Sequence, residues 1–278
     1  QDGCNNYCSY CIIPYARGNI RSKSKEDVIN EVNKLVDNGY KEVVLTGIHT
    51  GHYGKDKYEY NFSDLLDELC KIDNLLRIRI SSIEITELDE EFMRVLKNNK
   101  KIVDHIHIPL QSGCDKTLKE MNRKYDTKYF LDKINEIRNI RKDISITTDL
   151  IVGFPNETDE DFEKTCEFVK KVNFSKIHVF PYSRRKGTKA DLMNNQISED
   201  IKKTRVKRML EISHELEISY MKKYLNKDVE VLVEKYENGY IMGHTSNYIE
   251  VKKIGKCSDV TNIVNAKLKE IDYPIMIE

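Results

Sequence analysis

The sequence predicts an α/β protein in which strands of a parallel sheet alternate with helices, followed by a small antiparallel β-barrel. Between residues 24 and 182, amphipathic helical stretches alternate with short runs rich in β-branched residues. This order is typical of a parallel sheet with helical crossovers. From residue 228 onward, apolar and polar residues alternate around glycine-containing turns, and this pattern indicates a small antiparallel barrel.

Five helix–strand units follow one another along the first part of the chain. The units are helix 24–39 with strand 41–48, helix 62–72 with strand 76–82, helix 88–99 with strand 104–110, helix 127–141 with strand 144–154, and helix 159–172 with strand 176–182. Apolar residues then recur at helical spacing through 198–225, which predicts one long helix. No low-complexity linker interrupts the chain, so we expect residues 1–197, 198–225 and 226–278 to form a rigidly joined core, helix and barrel.

Composition limits the function classes. The 278 residues include 46 Lys and Arg against 46 Asp and Glu, so no global field attracts a nucleic acid or a membrane, and an RNA partner needs a local patch. There is no apolar run of about 18 residues and no signal-peptide pattern. These features predict a cytoplasmic protein that does not contact membranes, and we expect a monomer.

Seven cysteines are an odd number, which is a poor match to a disulfide framework. Four of them are scattered singly, and we expect these four to be small buried apolar residues: Cys70, Cys114, Cys166 and Cys257. The cysteine content therefore indicates a reducing compartment with free thiols.

Three cysteines stand together near the start of the chain, in the stretch CNNYCSYC. Cys4, Cys8 and Cys11 have the spacing C-x3-C-x2-C, and a structural zinc site usually needs a fourth ligand. The nearest histidines, His49 and His52, do not give a usual zinc pairing. An iron–sulfur cluster held by three thiolates would leave one iron open for another ligand. Zinc completed from elsewhere and free thiols remain as alternatives.

The C-x3-C-x-aromatic-C spacing resembles the radical S-adenosylmethionine signature, and four further motifs extend the resemblance to the tRNA methylthiotransferases. The five motifs, in order, are CNNYCSYCIIPYARGNIRS, VVLTGIHTGHYG, HIPLQSGCDKTLKEMNRKY, TDLIVGFPNET and VFPYSRRKGT. The resemblance implies a partial (β/α)6 radical S-adenosylmethionine barrel, and the C-terminal barrel is similar to the TRAM module that contacts RNA in that family. The TGIHTGHYG motif resembles the branch that acts on threonylcarbamoyladenosine beside the anticodon.

The resemblance implies a 4Fe-4S cluster on Cys4, Cys8 and Cys11 and S-adenosylmethionine as the second cofactor. It implies a 5'-deoxyadenosyl radical that takes hydrogen from C2 of the adenine, and transfer of a methylthio group to that carbon of a tRNA. An electron donor such as flavodoxin or ferredoxin is implied as a partner. The family's full enzymes also carry an N-terminal domain with three further cysteines that hold an auxiliary cluster. We expect the present chain to be a fragment without that domain.

The remaining cofactor-binding candidates lie in the cysteine loop or at strand ends, where the chemistry of a parallel barrel gathers. They are Tyr10, Thr46, Gly47, Glu84, Gln111, Arg123 and Asp149. Tyr10 would pack the loop against a ligand, the backbone at Thr46–Gly47 would meet the methionine amino group, and Arg123 would pair with its carboxylate. Ordinary turns, helix caps or core hydrogen bonds are the structural alternatives. His105 and His107 share one strand face by their period of two and are expected to have packing or supporting roles.

Two basic runs, at residues 184–189 and 202–208, are candidates for RNA phosphate contacts. Within the first run we expect Arg184, Arg185 and Lys186 to bind RNA. The C-terminal barrel is nearly neutral, so we expect it to orient RNA by shape and by aromatic residues. These aromatic residues are Tyr236, Tyr240 and Tyr248.

Other functions remain open at this point. Within the same class, the substrate could be isopentenyl-modified adenosine or a ribosomal protein. From another class, the chain could be a non-catalytic module that binds zinc and RNA. Iron and sulfide content after anaerobic reconstitution separates the enzyme from the zinc module.

Overall fold

The computed structural model describes residues 1–57 and 59–278. Its first part contains five parallel strands that follow one another in chain order. These are β1 (Glu42–Leu45), β2 (Arg77–Ile80), β3 (His105–His107), β4 (Ser145–Val152) and β5 (Lys176–Pro181). Strand β1 pairs with β2, and β4 lies between β3 and β5. A parallel bridge between Ile78 and Ile102 connects the two groups, so all five strands predicted from the sequence are confirmed.

Eight α-helices surround and extend this sheet in the described residues. They are α1 (Ile13–Arg17), α2 (Lys25–Asp37), α3 (Phe62–Cys70), α4 (Glu90–Asn98), α5 (Asp115–Glu120), α6 (Thr127–Ile140), α7 (Asp159–Val172) and α8 (Glu199–Lys222). The short helices α1 and α5 were not predicted. The others begin at polar N-caps, for example Asn61 and Thr158, each of which forms a capping box with an aspartate three residues later.

The core lies between the helices and the parallel strands. The burial pattern of β2 is continuous, because both of its faces are covered. Phe92, Phe130 and Phe174 are the largest fully buried side chains of this core. None of the described helices is long and apolar enough to cross a membrane.

The C-terminal part forms a separate six-stranded sheet. Its strands are β6 (Asp228–Glu237), β7 (Tyr240–Thr245), β8 (Glu250–Ile254), β9 (Ile263–Lys267), β10 (Glu270–Asp272) and β11 (Ile275–Ile277). Their order is β10-β11-β8-β7-β6-β9, with one parallel pair, β11–β8. The predicted antiparallel sheet is confirmed. Closure into a barrel is not found among the described strands, because β9 and β10 lie at opposite edges.

Buried arginines of β2 join the two parts. Arg77 donates to the carbonyl oxygens of Glu230 and His244, both at 3.0 Å. Arg79 forms an ion pair with Glu42 at 3.0 Å, and its guanidinium lies 4.6 Å from the centre of the Tyr248 ring. Helix α8 packs on β5 and β4. These side-chain contacts therefore hold the C-terminal part of the chain against strand β2.

Candidate active site

A glycine conformation and backbone hydrogen bonds determine the shape of the loop that carries the three cysteines. Gly3 has φ = +74°, and a Cβ atom there would lie 2.0 Å from the Asn19 carbonyl oxygen, so only glycine fits without displacement. The Cys4 amide donates to Gly18 O at 3.2 Å, and the Cys11 amide donates to Cys8 O at 3.0 Å. This folding presents all three thiols to one cavity.

That cavity has a volume of about 450 Å³ and lies at the carboxyl ends of the parallel strands. Eight of the predicted metal- and cofactor-binding residues line it: Cys4, Cys8, Tyr10, Cys11, Glu84, Gln111, Arg123 and Asp149. Other residues that line the cavity were not predicted from the sequence as ligand-site residues. They include Ile48, His49, Thr50, Ser81, Ser82 and His107. Ser81 and Ser82 follow directly after β2, and residues 48–50 lie three to five residues after β1. This position after a strand is the signal that could have found them.

The three sulfur atoms are not grouped as closely as the ligands of a single zinc ion. Tetrahedral zinc at a Zn–S distance of about 2.3 Å holds its sulfur ligands about 3.8 Å apart. The three Sγ atoms do not form a set within 4.8 Å of one another, whereas His49, His52 and Glu87 do among the described residues. A cluster binds each thiolate through a different iron and so requires wider spacing. Burial raises the pKa of Cys4 and Cys11, so a bound metal cation is needed to hold them as thiolates.

Arg123 is the best-anchored charge in the cavity, with a side chain that is only 4% exposed. One terminal nitrogen donates to the Glu84 carboxylate, and the other lies 3.3 Å from Cys8 Sγ. Its Nε donates to the Tyr125 hydroxyl at 3.0 Å, and that hydroxyl in turn lies 2.9 Å from Leu110 O. These contacts use three of the five guanidinium N–H groups and leave two for a ligand.

Gln111 and Asp149 are held by an unusual backbone arrangement. Gln111 has φ = +68°, a left-handed conformation that is uncommon for a residue other than glycine. Its amide donates to Asp149 O and its carbonyl accepts from Ile151 N, both at 2.9 Å. The Asp149 carboxylate lies 3.3 Å from His107 Nε2. This arrangement directs both side chains into the cavity.

His105 and His107 lie on the same strand face, as predicted. His105 Nε2 lies 3.0 Å and His107 Nδ1 lies 2.9 Å from the Thr147 hydroxyl. The His105 ring also stacks on Tyr248 at 4.8 Å. His107 therefore supports Asp149 at the cavity, while His105 contacts the C-terminal sheet.

Thr46 and Gly47 lie outside the cysteine cavity. A Cβ atom at Gly47 would lie 3.1 Å from Gln1 Cβ, and the Ile48 amide donates to Gln1 O at 3.3 Å. Thr46 lines a separate cavity of about 390 Å³ beside α2 and β1. A role in binding the methionine amino group stays a prediction for these two residues.

The scattered cysteines differ in burial. Cys114 and Cys166 are buried and Cys70 is partly buried, but Cys257 is exposed. The prediction of a buried apolar role is therefore wrong for Cys257. It lies in a short 3-10 helix between β8 and β9, where no core covers it.

The basic runs are only partly available to RNA. Arg185 and Lys186 are exposed, whereas the Arg184 guanidinium forms an ion pair with Asp191 at 2.5 Å. In the second run, Arg205 is buried between Glu157 and Asp159, each at 2.7 Å.

The three C-terminal tyrosines also have different surroundings. Tyr236 and Tyr240 are exposed. Tyr248 stacks between the His105 and His244 rings, at centroid distances of 4.8 and 4.5 Å. Tyr248 is also exposed, at 49%, but its ring is already in contact with both histidines.

A parallel α/β fold with a three-cysteine loop at its strand ends defines an enzyme of the radical S-adenosylmethionine class. The family model described as "Radical SAM superfamily" matches residues 1–169, which is more than half of the chain. The chain belongs to this superfamily, whose enzymes bind a 4Fe-4S cluster and S-adenosylmethionine.

Within this superfamily, the chain is similar to two enzymes that modify tRNA. The chain is 45% identical over 280 residues to threonylcarbamoyladenosine tRNA methylthiotransferase MtaB of Bacillus subtilis, covering 99% of this chain and 62% of that protein. It is 39% identical over 270 residues to tRNA-2-methylthio-N(6)-dimethylallyladenosine synthase of Clostridium botulinum, covering 96% of this chain and 60% of that protein. The chain thus spans about three-fifths of the length of these relatives.

Among solved structures, coproporphyrinogen III oxidase (HemN) of Escherichia coli matches with a TM-score of 0.54 and 16% identity. The match covers 80% of this chain and 51% of that one. At this level of identity, the likeness concerns the fold alone.

Proposed function

We propose that this chain is the radical-generating part of a tRNA methylthiotransferase that acts on C2 of N6-threonylcarbamoyladenosine beside the anticodon. The observation that carries the proposal is the single cavity in which Cys4, Cys8 and Cys11 meet Glu84 and Arg123. The 45% identity to the Bacillus subtilis enzyme supports the choice of substrate.

The three cysteines would hold three irons of the cluster and leave the fourth for the amino and carboxylate groups of S-adenosylmethionine. The bound cluster supplies the electron for reductive cleavage of that cofactor. Arg123, fixed by Glu84 and Tyr125, has two N–H groups left for a carboxylate. Gln111, four residues beyond the end of β3, and Asp149, within β4, add polar groups to the same cavity.

The finer architecture is also part of the proposal. Residues 1–197 would form a partial (β/α)6 barrel, 198–225 the connecting helix, and 226–278 a TRAM-like RNA-binding module. The chain order of the five parallel strands and the separate C-terminal sheet support this division.

The proposed partners are a tRNA and an electron donor such as flavodoxin or ferredoxin, in the cytoplasm, with the enzyme as a monomer. Arg185 and Lys186 would contact RNA phosphates, since both are exposed. Arg184 would contribute less, because Asp191 already neutralises its charge.

A second candidate substrate is isopentenyl-modified adenosine, which is supported by the 39% identity to the Clostridium botulinum synthase. RNA mass spectrometry separates the two candidates. A strain that lacks the full-length gene should lose 2-methylthio-N6-threonylcarbamoyladenosine, and the gene should restore it. Loss of the dimethylallyl product instead would favour the second candidate.

The radical chemistry is tested on the chain itself. After anaerobic reconstitution with iron and sulfide, the chain with dithionite and S-adenosylmethionine should form 5'-deoxyadenosine, and the Cys8→Ala variant should not. RNA in the same mixture should stay unmodified if the sulfur source lies in a further domain. Absence of 5'-deoxyadenosine at full iron loading would refute the proposed radical activity.

A further inference from the structure

A buried histidine lies against one of the three cysteines. His49 is only 4% exposed, and its Nδ1 lies 3.8 Å from Cys4 Sγ. Its other ring nitrogen, Nε2, makes no hydrogen bond in the described structure and lies 3.7 Å from Glu87 Oε1. The contact with Cys4 is therefore the polar contact within hydrogen-bond range that this ring makes.

The position of this ring is determined by several independent contacts. The His49 amide donates to Gln1 Oε1 at 2.7 Å. The ring stacks on His52, with centroids 3.7 Å apart and an interplanar angle of 27°. His52 Nε2 lies 2.8 Å from Glu87 Oε1, and Lys55 Nζ lies 2.6 Å from Glu87 Oε2. Glu87 thus holds His52, and His52 holds the His49 ring against the cysteine loop.

The turn between the two histidines is shaped for this contact. A Cβ atom at Gly51 would lie 2.5 Å from Glu87 Cβ, so the glycine permits the carboxylate to lie beneath the 3-10 helix Thr50–His52. This close approach places the Glu87 carboxylate within reach of both rings.

We propose that His49 is a positioning residue that donates a hydrogen bond from Nδ1 to the Cys4 sulfur when Cys4 binds the cluster. An iron-bound thiolate carries no hydrogen and acts as an acceptor, so the contact then requires the hydrogen on Nδ1. Hydrogen bonds to cluster sulfurs stabilise the more negative, reduced state and raise the reduction potential. The inference concerns the cluster and is independent of the RNA substrate.

Binding of a separate metal ion by His49, His52 and Glu87 is the competing explanation, because their ligand atoms lie within 4.8 Å of one another. The charge of the site disfavours it, because the Lys55 ammonium already neutralises Glu87 at 2.6 Å. We therefore make a second metal ion one of the outcomes of the test.

The test compares three variants of the reconstituted protein. His49→Asn keeps an N–H close to the Nδ1 position, His49→Leu removes it, and His214→Asn is a control at an exposed position of α8. Potentials are measured by dithionite titration with electron paramagnetic resonance detection, and iron, sulfide and zinc are quantified. At the wild-type midpoint potential, His49→Leu should show about a tenfold lower ratio of reduced to oxidised cluster, a shift of 59 mV for one electron. His49→Asn should recover most of this change.

An unchanged potential in His49→Leu at full iron loading would overturn the proposal. Stoichiometric zinc or extra iron that is lost in His49→Leu would overturn it in favour of the metal site. A second measurement uses unmutated protein labelled with 15N only in histidine, and therefore does not depend on variant folding. The reduced cluster should show a weakly coupled 15N nucleus, and its absence would equally refute the hydrogen bond.

Discussion

The ion pair between Glu84 and Arg123 offers the sharpest test of how the cavity is built. The Arg123 side chain is 4% exposed and that of Glu84 is 16% exposed. Replacing Glu84 with Ala leaves a buried guanidinium with Tyr125 and Cys8 as its remaining partners. Loss of one partner from a buried pair costs about 3–5 kcal/mol. Because Glu84 retains some exposure, we expect Glu84→Ala to lower the free energy of unfolding by about 3 kcal/mol.

The contribution of this ion pair to the free energy of unfolding is measured by a double-mutant cycle. The cycle combines Glu84→Ala and Arg123→Ala in reduced, cluster-free protein. Urea unfolding is followed by circular dichroism and tyrosine fluorescence, since the chain contains no tryptophan. The coupling free energy should reach about 2 kcal/mol. Glu68→Ala, which breaks the exposed pair with Lys71, is the matched control and should leave stability unchanged. A coupling below about 0.5 kcal/mol would show that the pair does not hold Arg123 in place.

Three further predictions concern the cluster, the RNA and pH. Cys8→Ala should abolish iron binding on reconstitution while Cys166→Ala retains it, and equal iron in both would remove Cys8 from the ligand set. Charge reversal of Arg185 and Lys186 together should lower the slope of log affinity for tRNA against log salt by about 2, with iron content unchanged. An unaltered slope would mean that neither residue contacts phosphate. Burial lowers the pKa of His105 to about 3 in the folded protein, whereas an exposed histidine has a pKa of about 6.5. Between these pH values, the unfolded chain therefore binds one proton more than the folded chain. Stability should therefore fall as pH decreases from about 6.5 to 3, by at most about 1.4 kcal/mol per pH unit, and His105→Asn should flatten this slope. An equal slope in the variant would contradict this explanation.

Much of the site could be predicted because parallel strands bring their carboxyl ends to one edge. Glu84 and Gln111 follow separate strands and Asp149 lies within β4. The strand pattern, together with the family resemblance, was enough to predict that they share a cavity with the cysteine loop. The contact of His49 with Cys4 could not be predicted in this way. It depends on the 3-10 turn after β1 and on stacking between two rings, and neither feature has a periodic signal.

The sequence predicted a closed C-terminal barrel, whereas the described strands form an open sheet. The reason for this difference is related. Alternation of apolar and polar residues predicts strands and the faces that they present, but it does not specify which edges pair. The parallel pairing of β11 with β8 places a late strand beside an early one, and β9 pairs with β6 at the other edge. Such pairings depend on long-range register rather than on local pattern.

The second basic run shows how charge density can mislead when the helical period is ignored. Lys202, Arg205, Met209 and Ile212 are spaced three or four residues apart, so they lie on one face of α8. Met209 and Ile212 are buried, and the two cations on the same face are buried with them. Arg205 is neutralised by the buried Glu157 carboxylate at 2.7 Å. A buried, paired guanidinium fixes α8 to the N-terminal end of α7 and has no free charge for a phosphate. Within the second run, Lys203 and Lys207 stay exposed. The proposed RNA contact of the basic runs therefore falls on these two lysines and on Arg185 and Lys186, which lie before this helix and are exposed.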